Sequence, residues 1–358
     1  MSNPLPAGAT IGILGGGQLG RMLSVAAARL GYKTHIFEPG QNPPAGDVAH
    51  TVTTASYDDA AALTAFSASV DVITYEFENI PTSALDILEA LRPIRPGRRA
   101  LAISQDRIAE KEFLSSLGLT VAPFAAVKSQ ADLDAAIAKI GCPAILKTTR
   151  LGYDGKGQAR IMDPRDTTAA LATMNGADAV LEGFIDFTHE VSVIAARGLD
   201  GSVSAYDPGE NVHRAGILHS TTIPAKLSPN QRTDAVLLAA RILNALEYVG
   251  VMGVELFVTA QGLIVNEIAP RVHNSGHWTQ NGCAVDQFEQ HIRAVAGLPL
   301  GDGSRFADVT MENLIGDDIA QLPALLAEKN TALHMYGKPE ARPGRKMGHV
   351  NRITRGIS

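Results

Sequence analysis

Two glutamates, Glu255 and Glu267, have the spacing of a metal-binding pair. A β-rich run ends at Thr259, a short turn with a glycine follows, and a second β-rich run begins at Leu263. If Thr259 pairs with Leu263, both carboxylates lie on one face of a hairpin with their Cβ atoms about 5 Å apart. Like charges so placed destabilise a sheet unless a cation lies between them, and Mg²⁺ prefers oxygen ligands. The spacing favours a metal site over two acids that face water, provided that no bulge shifts the register.

A run of polar side chains follows the second glutamate directly. It contains a guanidinium, two imidazoles, an amide and a hydroxyl, which belong to Arg271, His273, Asn274, Ser275 and His277. Such a mixture of donors is typical of an anion site. Histidines at this spacing can also bind zinc, but no cysteine is placed to join them, so the anion site is favoured.

Two glycine-rich loops are candidates for phosphate binding. Residues 150–158 carry three glycines between two apolar strands, which is typical of a flap over a phosphate. Lys147 just before them is placed either to hold nucleotide phosphates or to reach solvent. Residues 15–20 match the dinucleotide fingerprint, and Glu38 stands where a ribose-binding acid belongs. Alone, that loop indicates an NAD enzyme, but its glycines suit any turn whose backbone must approach a ligand.

Alternating strands and helices must position these residues. We expect strands and helices at 10–14, 21–30, 33–37, 70–75, 105–117 (a helix capped by Ser104), 144–148, 158–162, 179–182, 190–196, 229–246 and 283–296. This order predicts an α/β and α+β fold with a parallel-sheet, Rossmann-like N-terminal domain. We expect that domain over 1–103, a second domain over 104–298 with a mobile subdomain at about 120–180, and a small C-terminal domain over 299–358.

The composition excludes several classes of protein. The chain has 358 residues, of which 45% are hydrophobic and 19% charged, as in globular proteins of two or three domains. Its net charge of −6 argues against a general nucleic-acid binder. The two cysteines cannot form a disulfide framework, and no apolar run approaches the ~20 residues of a membrane span. We therefore expect a cytoplasmic protein that binds neither nucleic acid nor membrane.

Basic residues are concentrated near the end of the sequence. Residues 331–358 contain six lysines or arginines and one acid, Glu340. A basic segment in an acidic protein suggests an anionic ligand nearby.

Eight segments together carry a family resemblance. In chain order they read GILGGGQLGRML, YEFENI, SQDRIAEKEFL, ILKTTRLGYDGKGQ, EGFI, GVELF, NEIAPRVHNSGHWT and GRKMGHVNR. The chain resembles the ATP-grasp superfamily and, within it, the N5-carboxyaminoimidazole ribonucleotide synthetases. The resemblance covers nearly the whole chain and implies an ATP-grasp fold.

The resemblance implies ATP and Mg²⁺ as cofactors. Arg107 and Lys147 would contact the phosphates under the second glycine loop, Glu182 and Phe184 the adenine, and Glu190 the ribose. The implied ATP-binding residues are Arg107, Lys147, Gly152, Asp154, Gly155, Gly157, Glu182, Phe184, Glu190 and Asn266. The implied Mg²⁺ ligands are Glu255 and Glu267. Ala269 stands where the superfamily often has an asparagine ligand, which leaves the remaining coordination to phosphates and water.

The implied reaction joins bicarbonate to the amine of aminoimidazole ribonucleotide through carboxyphosphate, in purine biosynthesis. The residues implied to bind bicarbonate or the acyl phosphate are Arg271, His273, Asn274 and Ser275. Those implied to bind the ribonucleotide are Gln18, Glu76, Tyr153, Asp154, Lys156, Lys346 and Arg352. Glu76 and Glu78 could instead be surface acids at the end of a strand. A homodimer is a further expectation from the family.

Three other functions remain open at this point. Another ATP-grasp ligase would use formate or an amino acid, and the polar run and basic segment disfavour it. An NAD-dependent oxidoreductase would explain the first glycine loop but not the acid pair. A regulatory protein on a retired ATP-grasp fold predicts losses at Lys147, Glu255 or Glu267, and none of these is lost.

Overall fold

The chain begins with a four-stranded parallel sheet in the computed structural model, which describes residues 3–152 and 157–356. The elements of this first part are β1 (Thr10–Leu14), α1 (Gln18–Arg29), β2 (Lys33–Phe37), β3 (Thr51–Thr53), α2 (Ala60–Ala68), β4 (Val72–Tyr75), α3 (Thr82–Glu89) and α4 (Arg98–Ser104). The strand order is β3-β2-β1-β4, and every neighbouring pair is parallel. The expected strand–helix alternation is confirmed.

A small antiparallel sheet follows. Its part of the chain contains α5 (Arg107–Ser116), β5 (Phe124–Val127), α6 (Gln130–Ile140), β6 (Ala144–Thr148), β7 (Gln158–Ile161), α7 (Thr167–Ala172) and β8 (Ala179–Gly183). The strand order is β5-β8-β6-β7. These strands occupy the region expected to form a subdomain at about 120–180, whose mobility stays a prediction.

The third sheet has nine strands within the described residues. Its elements are β9 (His189–Arg197), β10 (Val203–Ala205), β11 (Gly209–Arg214), β12 (Ile217–Ile223), α8 (Pro229–Ala245), β13 (Gly250–Thr259), β14 (Gly262–Ala269), α9 (Thr279–Gly282), α10 (Gln287–Ala296), β15 (Ala307–Ile315), α11 (Leu322–Ala327), β16 (Thr331–Met335) and β17 (Lys346–Gly356). The order is β14-β13-β9-β11-β12-β15-β17-β16, and β10 pairs with β9. Because β12 pairs with β15, the C-terminal strands extend this sheet rather than form one of their own.

The helix predicted from residue 21 begins at Gln18. At two other helices an aspartate cap places the start elsewhere than predicted. Asp106, rather than Ser104, caps α5, because its carboxylate accepts the N–H groups at the start of that helix. Ser104 is instead the last residue of α4. The helix expected from Cys283 begins at Gln287, because the carboxylate of Asp286 caps it there.

α10 connects the first and third sheets through a buried histidine. His291 on this helix is fully buried, and its Nε2 lies 2.8 Å from the hydroxyl oxygen of Thr74 on β4. Its Nδ1 accepts the backbone N–H of Val251 on β13 at 3.0 Å. The two sheets are therefore joined by hydrogen bonds to one ring as well as by apolar packing.

The alternation along β13 positions the acid pair. Its apolar side chains Met252, Val254, Leu256 and Val258 are buried in one core cluster, on the face opposite Glu255. In the described parts of the chain, every helix is too short or too polar to cross a membrane.

Candidate active site

One cleft of about 970 Å³ gathers most of the residues singled out in the sequence. It lies where the first sheet, the small sheet and the third sheet meet. The predicted site residues that line it are Gln18, Glu76, Arg107, Lys147, Gly152, Glu190, Glu255, Asn266, Glu267, Arg271, His273, Asn274 and Lys346. The residues predicted to bind nucleotide, metal, anion and ribonucleotide therefore line the same cleft.

The two acids of the hairpin face each other. Glu255 on β13 pairs with Glu267 on β14, so the predicted pairing is confirmed. The register at the turn is not the predicted one, because Thr259 pairs with Gly262. A β-bulge at Asn266 restores the pairing further along, because it adds one residue to β14. Both Asn266 and Glu267 line the cleft as a result.

The acid pair fits a divalent cation. Burial, together with the charge of Glu267, raises the pKa of Glu255 to about 8 and that of neighbouring Glu110 also to about 8. A cation between the carboxylates would remove this cost of ionisation. Arg107 supplies part of the compensation, with its Nη1 3.2 Å from Glu267 Oε2. Among the described residues no three His, Cys, Asp or Glu side chains form a complete metal site, so an ion here would need phosphate or water ligands.

The phosphate candidates are held by buried charges. Lys147 Nζ lies 2.9 Å from Glu182 Oε2, and Lys111 Nζ lies 3.3 Å from Glu182 Oε1. Burial alone would raise the pKa of Glu182, but the two ammonium groups lower it. Glu182 thus stays ionised and fixes the direction of the Lys147 side chain along the cleft.

Arg271 is held by an acid from the first part of the chain. Its Nε and Nη2 lie 2.5 and 3.1 Å from the two carboxylate oxygens of Glu78, in the fork arrangement of a strong ion pair. Burial alone would raise the pKa of Glu78, but the charge and hydrogen bonds of Arg271 lower it to about 2. This pair joins the first part of the chain to the segment after β14, so Glu78 is ion-paired and half-buried rather than a freely solvated acid.

His273 and Asn274 offer neutral polar groups to the cleft. His273 Nε2 lies 3.3 Å from Glu255 Oε1, and its Nδ1 lies 2.8 Å from Ser275 Oγ. Burial lowers the pKa of His273 to about 3, so the ring is neutral. The side-chain Nδ2 and Oδ1 of Asn274 are buried and have no partner among the described residues. An amide in that state is ready to bind a small polar ligand.

The first glycine loop already holds two carboxylates of the protein. The N–H groups of Gly17 and Gly20 donate to Glu76, the latter at 2.6 Å, and that of Gly16 donates to Glu38 at 2.8 Å. A Cβ at Gly17 would lie 2.5 Å from Glu76 Oε1, so any other residue there would displace this carboxylate. The donors that a dinucleotide pyrophosphate would need are therefore occupied.

Three family models match successive parts of the chain. They are the ribonucleotide synthetase preATP-grasp domain at residues 8–105, the ATP-grasp domain at 112–288, and the phosphoribosylaminoimidazole carboxylase C-terminal domain at 310–357. An N5-carboxyaminoimidazole ribonucleotide synthase of Brucella melitensis is 55% identical over 98% of this chain and 97% of its own. The chain belongs to the N5-carboxyaminoimidazole ribonucleotide synthase family.

Solved structures agree with this membership. The N5-carboxyaminoimidazole synthetase of Staphylococcus aureus complexed with ADP has a TM-score of 0.94 and 39% identity, over 99% of this chain and 95% of its own. The Aspergillus clavatus synthase in complex with ADP and 5-aminoimidazole ribonucleotide has a TM-score of 0.92 and 30% identity, over 98% of this chain and 95% of its own. The resemblance to the synthase family seen in the sequence is confirmed.

Two candidates from the synthase resemblance support the cleft from behind. Ser275 is 1% exposed, and its hydroxyl lies 2.7 Å from that of Ser192 and 2.8 Å from the ring of His273. Glu182 is 4% exposed, and its carboxylate contacts the lysines rather than the cleft. Each acts through a neighbouring side chain.

Other candidates are not brought to the cleft. Arg352 lies 2.6 Å from Glu312 and 2.9 Å from Glu328, and these acids hold its guanidinium away from the cleft lining. Gly157 lies outside the lining, and its carbonyl accepts the backbone N–H of Thr148, the last residue of β6. Phe184 also lies outside the lining and is 45% exposed. The candidates that fall outside the described residues are Tyr153, Asp154, Gly155 and Lys156.

The sequence reading missed several groups of the cleft. His213 lines it, with its Nδ1 2.6 Å from Glu190 Oε2. Burial alone would lower the pKa of His213, but the hydrogen bond to Glu190 raises it. Asn211 on β11 pairs with Glu190 on β9. Because side chains alternate along a strand, His213 lies on the same face as Asn211, and this alternation could have placed it beside Glu190. Glu110, which also lines the cleft, gave no such signal, because its hydrogen-bond partner Ile268 is distant in sequence.

Proposed function

We propose that the chain catalyses the ATP- and bicarbonate-dependent carboxylation of 5-aminoimidazole ribonucleotide to N5-carboxyaminoimidazole ribonucleotide. The observation that carries this proposal is that the acid pair, Lys147 and the Arg271 segment line the same cleft. An ATP-dependent carboxylation needs these three groups in reach of one phosphoryl group. Family membership supplies the choice of acceptor.

The phosphate end of the cleft would bind ATP. Lys147 and Arg107 would pair with phosphate oxygens, while Glu190 and His213 would hold the ribose. Mg²⁺ held by Glu255 and Glu267 would neutralise charge on the transferred phosphoryl group when it is bound. The oxygen-rich, buried pair of acids supports this choice of ion.

The anion end would hold bicarbonate against the γ-phosphate. A bicarbonate oxygen would attack the γ-phosphorus, the bond to the ADP oxygen would break, and carboxyphosphate would form. Arg271, anchored by Glu78, would offset the charge of the anion, and Asn274 and His273 would orient it. The unpartnered amide of Asn274 supports this role.

The ribonucleotide would enter from the side of the first sheet. Its exocyclic amine would attack the carbon of carboxyphosphate, forming the N–C bond while the C–O bond to phosphate breaks. The released phosphate can take the proton that the amine loses. Gln18 and Lys346 line that side of the cleft and would contact the ribonucleotide. Lys346 would bind the phosphate group of the ribonucleotide.

The deciding experiment measures ADP release with Mg·ATP and ¹³C-bicarbonate, with and without 5-aminoimidazole ribonucleotide. We expect the ribonucleotide to stimulate ADP release in a bicarbonate-dependent way and a ¹³C carbamate signal to appear. ADP release that ignores the ribonucleotide would contradict the assigned acceptor. The expected homodimer and cytoplasmic location stay predictions, and light scattering of the purified protein tests the dimer.

A further inference from the structure

Gln287, the first residue of α10, makes three hydrogen bonds through its side-chain amide, two to the main chain of His273 and one to the ring of His277. Its side chain is fully buried, and Oε1 accepts the backbone N–H of His273 at 2.9 Å. Its Nε2 donates to the carbonyl oxygen of His273 at 2.8 Å and lies 2.9 Å from Nδ1 of His277. The amide thus bridges two histidines that both line the cleft.

These contacts fix the direction of the amide. A backbone N–H requires an acceptor and a backbone carbonyl requires a donor, so the oxygen and nitrogen of Gln287 cannot exchange places. The second N–H of the amide then faces His277 Nδ1, which must accept it. A neutral imidazole that accepts at Nδ1 carries its proton at Nε2. Gln287 therefore selects one tautomer of His277.

The surroundings of His277 leave the ring little freedom. It is 1% exposed, stacks on His349 at a centroid distance of 4.6 Å and packs on Phe288 at 5.5 Å. The neighbouring Gly276 makes room for the bridging amide, because a Cβ there would lie 2.5 Å from Gln287 Oε1. Ring and amide are thus fixed relative to each other, and the Nε2–H edge is the donor that His277 can offer to the cleft.

We propose that Gln287 is a positioning residue that holds His277 as a neutral Nε2–H donor to the bicarbonate-derived anion and fixes His273 beside it. This inference rests on the carboxylation proposed above and adds a donor to it. A neutral donor stabilises the anion without adding a charge that would compete with the acid pair. Loss of the bridge should therefore affect bicarbonate and spare ATP.

The chain offers a matched control on the same helix. Gln290 is also fully buried, and its amide exchanges two hydrogen bonds of 2.8 Å with the backbone of Gly301, outside the cleft. Gln290→Met and Gln287→Met each remove a buried amide that bridges the backbone. Only Gln287→Met also releases a cleft histidine.

The test compares steady-state carboxylation by wild type, Gln287→Met and Gln290→Met, with unfolding midpoints as a check on stability. For Gln287→Met we expect kcat to fall and the KM for bicarbonate to rise, each by about tenfold, with an unchanged KM for ATP. We expect Gln290→Met to lower the unfolding midpoint but keep both kinetic constants. Equal kinetic losses in the two variants would overturn the inference.

His277→Phe provides a second variant if Gln287→Met fails to fold. It preserves stacking on His349 and the backbone bonds of Gln287 while removing both ring nitrogens. We expect the same bicarbonate-specific loss, and wild-type constants in this variant would overturn the inference. A wild-type protein that forms ADP without carboxylating the ribonucleotide would instead contradict the proposed function.

Discussion

Glu255 and Glu267 face each other only because one extra residue, Asn266, bulges out of β14. From the turn, Thr259 pairs with Gly262, and that register continued without a bulge would place Glu255 opposite Asn266. Glu267 would then point to the opposite face, into the core. The bulge adds one position and presents both residues to the cleft. A local irregularity of the ladder therefore creates the acid pair.

Glu267→Gln should abolish ATP turnover without unfolding the protein. The change removes the charge of one proposed cation ligand, while the side chain keeps its size and 40% of it is exposed. We expect ADP release to fall at least about 100-fold, because phosphoryl transfer depends on that charge. ADP release measured alongside circular dichroism checks both parts.

The control for this variant is Glu112→Gln. Glu112 is exposed on α5 and does not line the cleft. It should keep wild-type turnover. Normal turnover by a folded Glu267→Gln protein would refute the metal assignment.

Glu78→Gln should weaken both stability and bicarbonate use. Glu78 has a folded-state pKa of about 2, below the ~4.3 expected of an unfolded glutamate. Its contribution to stability is therefore present above about pH 4.3 and lost as the pH falls toward 2. At pH 7 we expect the free energy of unfolding to drop by about 2 kcal/mol and the KM for bicarbonate to rise, since Arg271 loses its anchor. Urea unfolding and steady-state kinetics measure the two effects.

An ion pair on the surface, between Asp86 and Arg98, provides the control for the stability change in Glu78→Gln. Asp86→Asn breaks the exposed contact with Arg98, whose length is 2.5 Å, and should cost less than about 1 kcal/mol. If Glu78→Gln cost no more stability than this surface change, the ion pair between Glu78 and Arg271 would not stabilise the fold.

Lys346 and Arg352 should behave differently although both lie in the basic segment. Lys346 lines the cleft, so Lys346→Met should raise the KM for the ribonucleotide by about tenfold or more. Arg352 contacts Glu312 and Glu328 instead, so Arg352→Met should cost about 1 kcal/mol of stability and leave that KM unchanged. Steady-state kinetics with the ribonucleotide as the varied substrate distinguish the two. A raised KM for the ribonucleotide in the Arg352 variant would show that Arg352 does contribute to binding the phosphate of the ribonucleotide.

Local sequence predicts elements well where short-range signals agree. β1, β2 and β6 have the predicted bounds, because each is a short segment with β-branched residues and a glycine or a charged residue follows within two positions of its end. The apolar residues at 283–285 continue a helical pattern and therefore predict too early a start for α10. The cap at Asp286 overrides that pattern.

The contacts that assemble the site are invisible to such reasoning. Glu78 and Arg271 are 193 residues apart in sequence, and nothing local to either predicts their meeting. The bridge from Gln287 to His273 likewise depends on how α10 packs against the segment after β14. Residue types and spacing predict the chemistry of the site. Tertiary packing determines which side chains contact each other there.

The buried His291 should make the protein less stable in acid. Burial lowers its folded-state pKa to about 3, whereas an unfolded histidine titrates near ~6.5. The folded protein binds fewer protons at this site, so its stability contribution is full above about pH 6.5 and falls as the pH drops toward 3. At pH 5 the loss of stability is about 2 kcal/mol.

His291→Asn keeps an acceptor for the backbone N–H of Val251 but cannot be protonated. We therefore expect a lower unfolding midpoint than that of the wild type at pH 8 and a smaller further drop at pH 5. Urea unfolding of the wild type and of this variant over a range of pH measures the two slopes. If the His291 variant had the same pH slope as the wild type, protonation of His291 would not be the cause of the loss of stability in acid.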